Sequence, residues 1–128
     1  MKLLEIHIES TDVNKSVEFY KKLFDYDRIL ELNDSNQVVF ILGNGCAFGI
    51  WKKGFKGLYD GRGGIHLHYA FQIAPEKYDT YKSRLQTNGT QVYEHDWGDG
   101  SRSLYFVDPD DNQGEFMTKD WLGNKDII

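Results

Sequence analysis

The order of hydrophobic and polar positions along this chain occurs twice. A strand with alternating side chains, an amphipathic helix and three further strands are predicted from Lys2 to about Lys53, and again from Gly63 to about Lys119. In both first strands, LLEIHIES and GIHLHYAFQI, polar groups recur on every second residue, which places them on one face of a sheet. The pattern predicts an α+β fold: two βαβββ modules forming a cupped mixed β-sheet with helices on the outside.

Each predicted helix has recognisable ends. The first, VNKSVEFYKKLF, follows Thr11 or Asp12 as its N-cap and carries apolar residues at helical spacing. The second, PEKYDTYKSRLQTN, begins at Pro75 and should stop at Gly89. Between the strands, the segments NDSN, GDG and PDDN are predicted to form tight turns.

The two modules define the predicted organisation of the chain. The first module covers residues 1–53, a glycine-rich linker covers 54–62, the second module covers 63–120, and a short tail covers 121–128. At 128 residues, the two modules together are expected to form one domain.

Composition and charge exclude several classes of partner. The net charge is −5 and no basic run exceeds two residues, so nucleic acid is not an expected partner. No apolar stretch approaches the roughly 20 residues that span a bilayer, and the N-terminus does not have the pattern of a signal peptide. The single cysteine, Cys46, excludes an internal disulfide. A cytoplasmic protein is therefore expected.

The polar faces of the predicted strands carry metal-ligand residue types. They are Glu5, His7, His66, His68 and Glu115. His68 and Glu115 are the best pair, and the third ligand is either Glu5 or His7, which share a face two residues apart. Such a set suits Zn, Ni, Mn, Fe or Co. Three protein ligands leave open positions on a divalent ion, which favours catalysis over a structural role.

Other side chains are candidates for contact with a small molecule. His66 shares a face with His68 but lies nearer the start of its strand, which favours a position at the rim of the site. Trp51, Trp97 and Tyr105 could line a pocket, although core packing is the commoner fate of such residues.

Three segments carry a family resemblance. LLEIHIESTDVNKSVEFYKKLF, GIHLHYAFQI and SLYFVDPDDNQGEFM resemble the opening strand and helix, the ligand strand and the closing segment of the vicinal-oxygen-chelate superfamily. That superfamily includes glyoxalase I, methylmalonyl-CoA epimerase, extradiol dioxygenases, fosfomycin-resistance thiol transferases and bleomycin-binding proteins. The three segments cover more than a third of the residues, in the family's order.

The resemblance implies paired βαβββ modules, often a dimer, around a divalent metal. It places the metal ligands at Glu5, His68 and Glu115, and it places His7 where a substrate-contacting side chain often lies. Glu5 departs from the family, which usually has His or Gln there, and Asp111 replaces the usual glycine of the closing turn. The resemblance makes Glu5, Glu115 and His7 the candidate catalytic residues.

The sequence therefore predicts a homodimeric, divalent-metal-dependent enzyme that acts on a small oxygen-chelating substrate. Lyase, isomerase, thiol-transferase and dioxygenase chemistry all fit this prediction. The alternative is a metal-free protein that binds an antibiotic or a metabolite in an aromatic cleft, as bleomycin-resistance proteins do. A third interpretation is a domain whose cavity is filled by its own side chains.

Overall fold

The computed structural model describes residues 3, 5–43, 45–55 and 68–119. The chain divides into two compact units, Met1–Ile65 with Asp108–Asn112, and His66–Val107 with Gln113–Ile128. In the part of the chain described, no helix has the length and apolar character needed to cross a membrane.

The first unit is a four-stranded mixed sheet with one helix. Its elements are β1 (Glu5–Ser10), α1 (Val13–Leu23), β2 (Arg28–Leu32), β3 (Gln37–Ile41) and β4 (Ala47–Lys52). The strand order is β1-β4-β3-β2, in which β1 runs parallel to β4 and the other neighbours are antiparallel. The parallel pair is possible because α1 begins the long connection that separates β1 from β4.

The ends of α1 follow from its sequence. Asp12 is the N-cap, and its side chain accepts a hydrogen bond of 3.1 Å from the backbone N–H of Lys15. At the other end, Phe24 leaves the helical conformation and its N–H bonds to the carbonyl of Tyr20. The buried face of α1 packs on the sheet through aromatic rings, with Tyr20 4.8 Å from Phe48 between ring centroids.

The second unit repeats this topology. Its elements are β5 (His68–Gln72), a 3₁₀ turn (Pro75–Lys77), α2 (Tyr78–Thr87), β6 (Tyr93–Asp96), β7 (Arg102–Val107) and β8 (Gln113–Met117). The strand order is β5-β8-β7-β6, with β5 parallel to β8. The predicted α+β fold of two βαβββ modules is confirmed.

One element boundary differs from the sequence prediction. The second helix was expected to run as one piece from Pro75, whereas the chain makes a 3₁₀ turn there before α2 begins at Tyr78. Neither Ala74 nor Lys77 caps the following element with its side chain. The N–H of Lys77 bonds instead to the carbonyl of Ala74, and this tight bond satisfies a group that a capping side chain would otherwise serve.

Alternation along the strands separates a helix-covered face from an open face in each sheet. In the second unit, Phe116 packs against Tyr81 of α2 with ring centroids 4.4 Å apart, and it stacks on Phe106 at 5.3 Å. Its neighbour Glu115 points to the opposite face. Glu5 and His7 on β1, and His68 and Glu115 on β5 and β8, therefore lie on the open faces that the alternation predicted.

The predicted turns are present, and one of them has an additional role. Backbone φ is positive at Asn33, Asp34, Ser35 and Asp111, which are the residues of NDSN and PDDN that take the left-handed conformation. Asp111 takes φ 64° where the resemblance expected glycine, because an Asp side chain tolerates this region. The turn Asp108–Asn112 also belongs to the first unit, which its local sequence did not indicate.

Candidate functional site

The imidazole of His68 and the carboxylate of Glu115 lie together on the open face of the second sheet. His68 begins β5 and Glu115 lies on the parallel neighbour β8, two residues beyond the register partner of His68. Their nearest atoms, His68 Nε2 and Glu115 Oε2, are 3.4 Å apart. Two donor atoms about 2.1 Å from one ion at a tetrahedral angle are separated by about this distance.

Glu115 is the more deeply buried member of this pair. Only 3% of its side-chain surface is exposed, compared with 31% for His68. Its Oε1 is buried and has no hydrogen-bond partner among the described residues. A buried carboxylate oxygen without a partner costs free energy, on the order of several kcal/mol for an ion that is not compensated. The donor set and the unpartnered oxygen therefore fit a bound cation.

Tyr105 is the cross-strand partner of Glu115 on β7 and lies on the same face. Burial raises the pKa of the Tyr105 hydroxyl, and a hydrogen bond to Glu115 and the negative charge of Glu115 raise this pKa further, while a hydrogen bond with Ser103 opposes them. The phenol therefore stays protonated over a wide pH range and can act as a hydrogen-bond donor beside the carboxylate.

Glu5 and His7 share the open face of the first sheet. Glu5 Oε2 lies 3.2 Å from His7 Nε2, and the Glu5 side chain is 56% exposed. On the other side of the imidazole, Trp51 Nε1 donates a hydrogen bond of 2.8 Å to His7 Nδ1. Both ring nitrogens of His7 therefore already have partners, whereas Glu5 remains open to a ligand.

The remaining predicted residues are placed as follows. Trp51 is half-buried on the same face as His7, and its ring stacks on Phe55 with centroids 6.2 Å apart. Trp97 is half-buried in the second unit, where its indole N–H donates to Ser103 Oγ over 2.9 Å. His66 lies outside the described residues.

Sequence reasoning missed the contribution of Gly49 to this arrangement. Gly49 is the register partner of His7 on β4, and a Cβ at this position would collide with the imidazole ring at Nδ1 and Cε1. The ring can lie over β4 and reach Trp51 only because Gly49 has no side chain. The glycine within AFGIWKK was the available signal, since glycine inside a strand often marks a close approach.

The described residues contain no group of three or more His, Cys, Asp or Glu side chains arranged to hold a metal ion. The site visible in the described parts of the chain consists of two pairs, one in each unit. These pairs are His68 with Glu115, and His7 with Glu5.

Comparison with solved structures defines the class of fold. FosX, a fosfomycin resistance protein from Listeria monocytogenes, aligns at a TM-score of 0.74 with 25% identity, covering 94% of this chain and 91% of that chain. That structure is of a mutant with one glutamate changed to glutamine, complexed with Mn(II) and 1S,2S-dihydroxypropylphosphonic acid. Lactoylglutathione lyase from Agrobacterium tumefaciens aligns at 0.74 with 20% identity, covering 91% and 92% of the two chains.

A third structure is named a glyoxylase/bleomycin resistance protein/dioxygenase domain and comes from Frankia sp. EAN1pec. It aligns at a TM-score of 0.75 with 18% identity and covers 94% of this chain and 98% of that chain. No family model and no curated protein sequence matches the chain. These neighbours are vicinal-oxygen-chelate proteins, so the resemblance is confirmed: this chain has the vicinal-oxygen-chelate fold.

Proposed function

We propose that this chain is a divalent-metal-dependent enzyme that acts on a small substrate with two neighbouring oxygen atoms. The observation that carries the proposal is the buried carboxylate of Glu115, whose unpartnered oxygen and neighbouring His68 imidazole make a donor pair suited to a divalent ion. A buried polar atom that has no partner among the described residues needs an explanation, and a bound ion supplies one.

Glu5 is the proposed third ligand. His7, the other candidate, has both ring nitrogens engaged, by Trp51 and by Glu5 itself. One imidazole and two carboxylates form a donor set rich in oxygen, which favours a harder ion such as Mn²⁺ over Zn²⁺. The Mn(II) in FosX supports this choice. The proposal allows Glu5 to come from the same chain or from the second chain of a homodimer.

The ion, when bound, would supply Lewis-acid stabilisation of negative charge on a chelated substrate oxygen. The side chains of the chain itself have separate roles. Tyr105 lies opposite Glu115 on the neighbouring strand and is placed to donate a hydrogen bond to this carboxylate. Glu5, the more exposed of the two carboxylates, is the proposed proton acceptor. Trp51 and Trp97 offer flat half-buried surfaces to a substrate, and His66 contributes at the rim.

Metal analysis tests this proposal directly. Protein purified without chelator is expected to contain a divalent ion, and Mn²⁺ titration followed by electron paramagnetic resonance gives the dissociation constant. Glu115→Gln, His68→Asn and Glu5→Gln should each weaken binding by roughly 100-fold or more, since a ligand affects affinity at least as much as the residues that support it.

Two matched variants control for general effects on charge and folding. Glu9→Gln changes an exposed carboxylate on the same face of β1 as Glu5, and His95→Asn changes an exposed imidazole on the open face of the second sheet. Both should bind Mn²⁺ like the wild type. The proposal is wrong if the purified protein holds no divalent ion and if Glu115→Gln binds Mn²⁺ as tightly as the unmodified chain.

The structural neighbours suggest the first reactions to assay. FosX is named for fosfomycin resistance and is bound to a dihydroxypropylphosphonic acid, and the Agrobacterium protein is a lactoylglutathione lyase. Fosfomycin hydration and lactoylglutathione formation, each with Mn²⁺ and with Glu115→Gln as the inactive control, are therefore the starting assays. We also propose that the enzyme is a cytoplasmic homodimer, which light scattering and cell fractionation can test.

A second candidate function is metal-free binding of an antibiotic or metabolite. The stacked pair of Trp51 and Phe55 favours it, because Phe55 is 43% exposed and offers an apolar surface to a ligand. Titration with bleomycin in the presence of chelator, followed by tryptophan fluorescence, separates the two functions. A dissociation constant of about 1 μM or lower without metal would favour binding over catalysis.

A further inference from the structure

The imidazole of His7 is held between two side chains of opposite hydrogen-bonding character. Trp51 Nε1 approaches His7 Nδ1 at 2.8 Å, and Glu5 Oε2 approaches His7 Nε2 at 3.2 Å. An indole N–H can only donate, so Nδ1 must carry a lone pair and not a proton. The proton of the neutral ring is therefore on Nε2, the nitrogen that faces the carboxylate of Glu5.

The backbone of β4 makes this geometry possible. His7 and Gly49 are register partners, and Trp51 is the next residue of β4 on the same face. Because Gly49 has no side chain, the imidazole lies across the strand toward the indole, with ring centroids 6.1 Å apart. Phe55 stacks on the other end of this arrangement and supports the indole of Trp51.

We infer that His7 is a positioning residue for the proposed metal ligand Glu5, and that Trp51 fixes the tautomer in which His7 can do this. The contact between the protonated Nε2 and Glu5 engages one oxygen of this carboxylate and leaves the other for the ion. It also restricts the rotamers of an exposed carboxylate before any metal arrives, which reduces the entropy lost on binding.

Carboxylates that bind metals are commonly oriented by hydrogen bonds from residues that do not touch the ion, and loss of such partners lowers affinity by roughly 10–100-fold. This positioning role rests on the proposed function, since it assigns His7 a role toward the same ion. It differs from both roles that the sequence left open for His7, those of metal ligand and of substrate contact.

The first test reads the tautomer in the metal-free protein. Nitrogen-15 NMR of the histidine rings, with the His7 signals identified by their loss in His7→Ala, should show a neutral ring protonated at Nε2. Trp51→Phe keeps an aromatic ring but removes the donor, so the His7 signals should shift toward a mixture of tautomers. Trp97→Phe removes an indole N–H bonded to Ser103 and should leave the His7 signals unchanged.

The second test measures Mn²⁺ affinity. His7→Ala should weaken binding roughly 10–100-fold and Trp51→Phe roughly 10-fold, while Glu5→Gln should weaken it more than either. His7→Gln places an amide N–H near the former Nε2 and should restore part of the affinity, which a purely structural role for His7 does not predict. Gly49→Ala displaces the ring and should behave like His7→Ala.

The outcomes separate this inference from the proposed function. Normal Mn²⁺ binding by the wild type together with unchanged affinity in Trp51→Phe and His7→Ala would overturn the positioning role and leave the metal enzyme standing. A His7 ring protonated at Nδ1 would likewise overturn the positioning role alone. Absence of Mn²⁺ binding by the wild type would overturn both.

Discussion

The hydroxyl of Tyr20 donates a hydrogen bond of 2.9 Å to Asp108 Oδ2, although 88 positions separate the two residues in the chain. Tyr20 lies on the buried face of α1, and Asp108 is a buried acid at the end of β7. The same carboxylate accepts hydrogen bonds from the backbone N–H groups of Asp110 and Asn112 and from the side chain of Asn112. Asp108 therefore stabilises its own turn and ties that turn to α1.

Tyr20→Phe is expected to lower the free energy of unfolding by about 1–3 kcal/mol. The reason is that the variant removes a donor from a buried carboxylate and supplies no replacement. Urea unfolding followed by circular dichroism measures the change. Tyr26→Phe is the matched control, because Tyr26 is 39% exposed, and it should stay within about 0.5 kcal/mol of the wild type. A Tyr20→Phe variant equal to that control would contradict the assigned role.

Gly114→Ala should destabilise the second unit by about 1–3 kcal/mol. A Cβ at Gly114 would collide with the end of the Phe106 ring, and Phe106 is fully buried and stacked on Phe116, so it cannot withdraw. Gly43→Ala is the control, since a Cβ at Gly43 would meet no atom within 4 Å. Thermal unfolding of the two variants provides the comparison. Equal melting temperatures would show that the ring of Phe106 can move aside for a methyl group.

Glu115→Gln should have opposite effects on the free energy of unfolding of the metal-free and the metal-loaded protein. Without metal, it removes a buried charge with an unpartnered oxygen and should raise the free energy of unfolding by about 1 kcal/mol. With Mn²⁺ at 100 times the dissociation constant of the wild type, the wild type should gain about 2.7 kcal/mol and the variant about 0.4 kcal/mol or less. Glu94→Gln, on the helix-covered face, should gain as much stability from Mn²⁺ as the wild type. A large loss of stability in metal-free Glu115→Gln would argue that this carboxylate is structural.

The free energy of unfolding should fall in alkaline solution because the pKa of Tyr78 is raised in the folded chain. The pKa of Tyr78 is raised from 10.0 to about 12. Burial is the largest cause, and a hydrogen bond to Glu94 and the negative charge of Glu94 raise the pKa further. Between these values the unfolded chain loses the tyrosine proton while the folded chain keeps it. The free energy of unfolding that the raised pKa contributes is thus fully present below pH 10 and is lost as the pH rises toward about 12. Urea unfolding across this range should give a shallower decline for Tyr78→Phe, and identical slopes would rule out this assignment.

The repeated module could be predicted from the sequence because its signals are local. Alternation in LLEIHIES and GIHLHYAFQI identifies strand faces, Asp12 caps α1 through a residue three positions away, and Gly89 ends α2. The same alternation placed His68 and Glu115 on the open face. These features depend on spacing within a few residues, so the linear pattern contains them.

The state of each site residue could not be predicted in this way. The tautomer of His7 depends on Trp51, which is 44 positions away, and on the missing side chain of Gly49 between them. The unpartnered oxygen of Glu115 depends on which side chains of three strands fail to reach it. Hydrogen bonds and steric contacts act over a few ångströms of space. Residues distant in sequence therefore decide them, and only the folded chain brings those residues together.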